Sequence, residues 1–452
     1  MKFYDREKET QALERIEKLS AQYAQMTVIT GRRRIGKTTL VRQACRNIPT
    51  VYFFVGRKSE GLLCRELTDI VREVMNIDLG DFVSFGRLFT ALLRLSQTRN
   101  FTLILDEFQN FRYVGDYVFT DIQNAWDEGK DLSHMNLILC GSVYSMMTRI
   151  FDDKREPLYG RATNRLKVRP FPTSVLKEIL HDFNPQYEPD DLLALYMLTG
   201  GVAKYVEQLM THGAYTKEDM IREVFSTGSY FITEGSEMLS DEFGKEYGNY
   251  FSVISAVANG NTTRGLIKSY TGIEAGGYLD KLEKSYDILM RRRPYLATEG
   301  SRNVSYAIRD NFLLFWFRFI YKYRSAIEIG NTDYVTGKVL SDYDTFSGYL
   351  LERYFRQKYS ETGLYNIVTN YWEKDGGNEI DLIAVNEVEC ETVIGEVKRH
   401  KKRISLPVLK QKATNIMRQQ PRQHYDFVAL SLEDMYNFRW ISIWNEAILV
   451  LR

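Results

Sequence analysis

The sequence predicts a multidomain α/β protein with three parts: an N-terminal parallel sheet covered by helices on both faces, an all-helical middle, and a smaller α/β unit at the C-terminus. Three observations carry this prediction. Short apolar runs alternate with helical stretches as far as Phe171-Pro172. Helical patterns with at most one hairpin follow up to Tyr323, and strand patterns return after about Asp344. With 452 residues the chain has room for about three domains of about 150 residues each.

A charged amphipathic helix is expected from about Arg6 to Tyr23, followed by the apolar run Met26–Thr30, which stops at Gly31 as a buried parallel strand would. Val51–Val55, Phe101–Leu105 and Asn136–Cys140 are further runs of this kind. Between the first run and a helix from Thr39 to Cys45 stands Gly31-Arg-Arg-Arg-Ile-Gly-Lys-Thr38, a full match to the P-loop pattern GxxxxGK[ST]. The glycines Gly31 and Gly36 let the backbone from Arg32 through Ile35 curl so that its N–H groups face phosphate. Lys37 is placed to reach the β- and γ-phosphates, Thr38 to ligate magnesium, and Thr39 to begin the helix behind the loop. The side chains of Arg32, Arg33 and Arg34 read equally as solvated loop charges or as contacts to a nucleotide or partner.

A second strand must complete a nucleotide site, and Leu103-Ile-Leu-Asp106-Glu107 has the required form of apolar residues followed by two acids. Asp106 is expected to hold magnesium through water, and Glu107 to orient and polarise the attacking water. The run Asn136–Cys140 leads into Gly141-Ser142. Ser142 stands either as a reader of the γ-phosphate, similar to the sensor position of AAA-like ATPases, or in an ordinary Gly-Ser turn. In Pro157-Leu-Tyr-Gly-Arg161 an arginine follows a glycine turn, similar to the Leu-Tyr-Gly-Arg element of one archaeal and bacterial ATPase family; the resemblance implies an arginine that stabilises transition-state charge, and an interdomain salt bridge is the alternative.

Together these residues resemble prokaryotic ATPases of the AAA/STAND-related group that carry a C-terminal domain of the PD-(D/E)XK nuclease type. The resemblance covers nearly the whole chain. It implies a P-loop NTPase core (1–172), an all-α lid (173–245), a winged-helix domain (246–325) and a C-terminal α/β restriction-endonuclease-like domain (340–452), with ATP as the nucleotide and magnesium as its ion. Thr199-Gly-Gly-Val-Ala-Lys-Tyr205 is similar to the Gly-Gly-x-Pro-x-Tyr turn of the family's lid, with Ala203 in place of proline. In the winged-helix region, expected helices at Tyr250–Ala258, Thr263–Tyr270 and Ala275–Leu289 precede the basic Arg291-Arg-Arg293 and Tyr306–Asp310. Lys281, Lys284 and the arginine triplet would offer phosphate contacts, so DNA is the expected macromolecular partner.

The expected helix Gly348–Tyr359 with Glu352, the strand Glu379–Val385 with Asp381, and the strand Glu391–Val397 with Glu396 followed by Lys398 resemble the E…D…ExK constellation of that nuclease superfamily. On a strand Glu396 and Lys398 face the same side, and Asp381 on the neighbouring strand can bring its carboxylate to the same place. Asp381 and Glu396 would then bind magnesium, Glu352 would extend the site, Lys398 would lie near the attacking water, and Gln411 resembles an accessory polar residue. Between Val397 and Arg422 stand nine Lys and Arg and no acid. Next to a phosphodiesterase-like centre such a run is expected to meet nucleic acid.

The composition, 44% hydrophobic, 26% charged and 13% aromatic, excludes a disordered, collagenous or coiled-coil chain. With 60 Lys+Arg against 59 Asp+Glu, attraction for nucleic acid has to be local. Four dispersed cysteines without CxxC give neither a disulfide framework nor a zinc cluster. The charged N-terminus has no secretory pattern, and the most apolar window, Phe312–Tyr321, is too short to span a bilayer. A cytoplasmic protein without membrane contact is expected, and a homo-oligomer or a partner protein stays open.

Overall fold

The computed structural model describes residues 1–46, 48–244, 247–374 and 376–436. Five parallel strands, β1 (Gln25–Thr30), β2 (Thr50–Phe54), β3 (Thr102–Asp106), β4 (Asn136–Gly141) and β5 (Asn164–Lys167), form one sheet in the order β2-β3-β4-β1-β5. The inner strands β1, β3 and β4 are buried on both faces, as continuous apolar runs require. Strand β5 was not expected: Asn-Arg-Leu-Lys alternates at the sheet edge, half-buried then exposed, and is held only by β1. Because β4 lies between β1 and β3, the loop after β1, the acids ending β3 and Ser142 beyond β4 share one edge of the sheet.

Five helices follow, Thr173–Phe183, Pro189–Thr199, Ala203–Thr211, Lys217–Val224 and the acidic helix Phe231–Phe243. Pro189–Thr199 is buried on almost every side, which explains its lack of a polar face. Three helices, Tyr247–Ala258, Arg264–Thr271 and Gly276–Lys284, then lead into an antiparallel hairpin of β6 (Leu289–Arg292) and β7 (Ser305–Ile308). The helix expected through Leu289 stops at Lys284, and the strand begins there. The aromatic window Phe312–Tyr321 is buried, with Trp316 Nε1 donating to the Ile232 carbonyl at 2.9 Å. Among the described residues no helix is long and apolar enough to cross a membrane.

A single 30-residue helix, Thr332–Glu361, begins before the boundary expected at residue 340 and carries Glu352. Strands β8 (Ile367–Trp372), β9 (Glu379–Asn386) and β10 (Glu391–Val397) form an antiparallel meander. After two short helices, Leu406–Lys412 and Thr414–Gln419, β11 (His424–Leu430) joins parallel to β10. One apolar cluster runs through Leu40, Tyr205, Ile254, Phe315, Leu350 and Leu382. The core, the helical middle and the C-terminal unit therefore share a hydrophobic interior, and burial at one boundary supports the next. Tyr295 and Leu296, beyond β6, lie against the other C-terminal cluster, so the hairpin loop docks on β8.

The turn at Gly200-Gly201 shows how tightly these parts meet. Gly201 has φ 78°, and a Cβ there would lie 2.5 Å from the Phe171 carbonyl, whose own N–H donates to the Gly201 carbonyl at 2.8 Å. Gly201→Ala is expected to cost about 3 kcal/mol from left-handed strain and the backbone clash. Thermal and urea unfolding check this.

Candidate functional site

The sheet order gathers the P-loop residues and the acids around one edge. Gly36 adopts φ 97° and Arg34 φ 66°, and these left-handed residues bend the loop into the helix Lys37–Ala44, with Thr39 in its first turn. Ile35 is buried beneath the loop, and a Cβ on Gly31 would lie 2.7 Å from the Val168 carbonyl. Lys37 Nζ donates to the carbonyls of Gly31 at 2.8 Å and Arg32 at 3.1 Å. Burial pulls its ammonium below the usual lysine range, opposed by the charge of Glu107. Thr38 Oγ1 donates to Asp106 Oδ2 at 2.8 Å, and Tyr52 OH donates to the same oxygen at 2.7 Å. Tyr52 was missed in the sequence; its role follows from the pairing of β2 with β3 and has no local signature. Ser142 Oγ donates to Glu107 Oε2 at 2.7 Å, which joins the end of β4 to that of β3.

The loop arginines are paired within the chain, Arg32 and Arg34 mostly shielded and Arg33 partly exposed. Arg32 forms an ion pair with Asp310 and donates to Tyr205 OH at 3.0 Å. Arg34 meets the fully buried Glu234 at 2.7 Å and lies over the Tyr230 ring, while Arg33 is 3.7 Å from Glu237 and 3.9 Å from Asp241. The acids at 234, 237 and 241 occupy one face of the helix Phe231–Phe243, so a single helix face holds two of the three arginines. Glu242 from the same helix accepts from the N–H of Tyr144 at 2.8 Å and the Ser145 hydroxyl at 2.6 Å, which caps the helix that follows Ser142.

Arg161 is not brought to the loop of its own chain. Thr163 N–H donates to the Met26 carbonyl, so Arg161 lies at the opposite end of β1, about 13 Å of strand away from Thr30. It pairs there with Asp127 at 3.0 Å.

In the C-terminal unit the expected residues do converge. The β9–β10 register sets Leu382 opposite Gly395, which brings Asp381 beside Glu396. Asp381 Oδ2 accepts from the Val397 N–H at 2.8 Å and from Lys398 Nζ at 3.0 Å, and Lys398 Nζ is 3.2 Å from Glu396 Oε1. Glu352 projects from the long helix, and burial first, then the charge of Asp381, raises its carboxyl well above the ordinary range. Arg356 donates to Glu352 at 3.5 Å and to the Asp381 carbonyl. Gln411 is exposed, and it is Lys412 that reaches Glu396 at 3.2 Å. Among the described residues no three His, Cys, Asp or Glu gather closely enough to form a metal cluster.

The nine-residue basic run is weaker than its composition implies. Lys398, Arg399, Lys401 and Lys412 are ion-paired within the chain, which leaves Lys402, Arg403, Lys410, Arg418 and Arg422 without an ion pair among the described residues. Arg399 grips Asp190 through both guanidinium ends, at 3.0 and 2.9 Å. Within the arginine triplet, Arg292 lies over Tyr349 and Trp372 at the junction with the C-terminal unit.

Residues 3–209 match a family described as an ATPase domain predominantly from Archaea, and residues 316–447 a family described as archaeal and bacterial proteins of unknown function. An uncharacterised protein of Methanocaldococcus jannaschii is 29% identical over 406 residues, 88% of this chain and 87% of that protein. The Walker-type ATPase PABY2304 of Pyrococcus abyssi aligns with a TM-score of 0.53 at 19% identity, covering 70% of this chain and 96% of that one. The Orc2 protein of Aeropyrum pernix, in complexes with ADPNP and ADP, aligns at 0.49 and 14% identity over 75% and 96%. Residues 3–209 are thus similar to an archaeal-type ATPase domain, in keeping with the P-loop that they contain, and residues 316–447 to a family described by no activity.

Arg34→Ala would leave Glu234 buried without its cation and is expected to lower stability by about 3–5 kcal/mol; adding Glu234→Gln should recover most of it, as urea titration would read. Burial also pushes Glu242 up to about 7. A raised carboxyl binds its proton more tightly in the folded chain, so stability is expected to fall as pH rises from about 4.5 to about 7 and to level off above that. Urea midpoints across that range should show this slope, and Glu242→Gln should flatten it.

Proposed function

We propose that this protein hydrolyses ATP at the P-loop and that its nucleotide state governs DNA binding and magnesium-dependent DNA cleavage by the C-terminal unit. The observation that carries the ATP half is the hydrogen bond from Thr38, in the helix after the P-loop, to Asp106 at the end of β3, with Glu107 held by Ser142 at the same sheet edge. Lys37 would hold the β- and γ-phosphates, and Thr38 with Asp106 would hold magnesium, their paired oxygens having the hard donor chemistry that the ion requires. When bound, magnesium would neutralise charge on those phosphates. Glu107 would align the attacking water and take its proton, while Ser142 would register the γ-phosphate. Because Arg161 lies at the far end of the sheet, any contact of its guanidinium with phosphate would have to be with the nucleotide of a second copy.

The C-terminal half of this reading rests on Asp381, Glu396 and Lys398 converging beside Glu352, the arrangement that a PD-(D/E)XK nuclease would need. Asp381 and Glu396 would supply oxygen ligands for magnesium, and Lys398 would sit next to the water that attacks phosphorus. The three helices Tyr247–Ala258, Arg264–Thr271 and Gly276–Lys284 with the β6–β7 hairpin would act as a winged helix. Its hairpin loop docks on β8, so DNA would meet the third helix, where Lys284 is exposed, and the unpaired lysines and arginines after Val397. One observation favours a second reading, an ATP-gated DNA-binding protein with an inactive nuclease fold. Lys398 lies between the two acids and Lys412 also covers Glu396, so both carboxylates already have cationic partners.

Lys37→Ala should abolish ATP binding and turnover, measured by nucleotide titration and phosphate release; retained turnover would remove the site assignment. Plasmid cleavage in magnesium or manganese, with and without ATP, should be lost in Asp381→Ala while its ATPase rate is unchanged. Intact ATP binding without cleavage under any condition would favour the second reading.

A further inference from the structure

The residue two positions beyond Glu107 has no place in the P-loop pattern, yet it is built into the hydrolytic edge of the sheet. Gln109 belongs to the short 3-10 turn Phe108–Tyr113 and is 1% exposed. Its Nε2 donates to Glu107 Oε2, the oxygen that also accepts from Ser142. Both donors therefore act on one carboxylate oxygen, and Oε1 has no protein donor among the described residues. The geometry depends on Glu107 itself, whose φ of 54° and ψ of 43° turn the chain sharply at the end of β3 and bring Gln109 back over its carboxylate.

Two observations set this contact apart from ordinary core packing. Among the described residues Gln109 Oε1 is buried without a partner, so the amide keeps a polar atom unsatisfied in the interior, where an apolar side chain of equal length would leave none. Reversing the amide would not relieve this, because it would set oxygen against the Glu107 carboxylate. The amide also crosses the end of β4 so closely that a Cβ on Gly141 would lie 2.6 Å from Gln109 Oε1 and 2.3 Å from Met147 Sδ. The glycine before Ser142 thus clears the path by which the amide reaches Glu107.

We infer that Gln109 is a positioning residue for ATP hydrolysis: with Ser142 it clamps Oε2 of Glu107, so that Oε1 is turned to the attacking water. The inference rests on the ATPase reading of the P-loop. The amide exchanges no proton; it restricts rotation of the carboxylate, and a small misplacement of a catalytic group is enough to slow a reaction by about 10²-fold.

The test compares the full-length chain with Gln109→Met, which keeps length and volume but has no donor, and Gln109→Glu. Steady-state ATPase rates and the affinity for a fluorescent ATP analogue are measured for each. Gln109→Met should lower kcat by one to two orders of magnitude, about 10- to 100-fold, and leave nucleotide affinity within about twofold. Gln109→Glu, which sets a second carboxylate against Glu107, should lower kcat at least as far and also leave nucleotide affinity within about twofold. A purely structural role would lower affinity together with kcat. Unchanged kcat in Gln109→Met, or a fall in affinity that matches the fall in kcat, would overturn the inference while leaving the ATPase reading in place. Absence of turnover in the unaltered chain would overturn both.

Discussion

The structure depends on how the charges of the P-loop are neutralised. Three consecutive arginines lie inside an eight-residue turn, and solvent alone does not compensate them: Glu234 is wholly buried, and Arg32 with Asp310 is mostly shielded. Buried charges of this kind hold only when each has a partner in good geometry, because the desolvation of an unpaired one is severe. The loop is therefore fixed to the acidic helix Phe231–Phe243 on one side and to the end of β7 on the other. A change in the loop's shape cannot be confined to the loop, since moving an arginine strands a carboxylate on another element.

Two short chains of contact, one from the anchor Asp310 and one from the helical middle, run to residues beside Glu352 and Lys398. Asp310 follows Ile308 and Arg309, whose carbonyls both accept from Arg353, the neighbour of Glu352. Asp190, at the start of the buried helix Pro189–Thr199, holds Arg399, the neighbour of Lys398. Two members of the proposed second site, Glu352 and Lys398, thus sit next to a residue tied to another part of the molecule. The shared apolar interior makes these ties stiff, because the elements cannot separate without exposing buried side chains. In the proposed function, nucleotide state would reach the C-terminal unit through these packed elements and ion pairs.

Much of this was legible in the sequence wherever a side chain's role is set by its own strand or turn. The runs β1, β3 and β4 are apolar on both faces, GxxxxGK[ST] is a local backbone motif, and β9 and β10 keep their strand patterns around Asp381 and Glu396. What escaped depends on partners distant in the chain. Strand β5 is polar and exists because β1 has an open edge. Tyr52 reaches Asp106 only through strand register, and Lys412 rather than Gln411 reaches Glu396 because the short helix turns that way. The arginines read as solvent or ligand contacts because their acids lie about 200 to about 280 residues downstream. Arg161 looked suited to phosphate from its turn, but a parallel sheet places the end of one connection and the end of the next strand at opposite edges.

In the proposed function the P-loop and the C-terminal acids are mechanically joined. Amide hydrogen exchange of the full-length chain, with and without a non-hydrolysable ATP analogue, reads that coupling. Altered protection is expected in the loop and in the helix Phe231–Phe243. A change is also expected at 305–310, 349–356 and 396–400, well away from the nucleotide. Changes limited to the loop and the helix that follows it would show that the two sites are not joined.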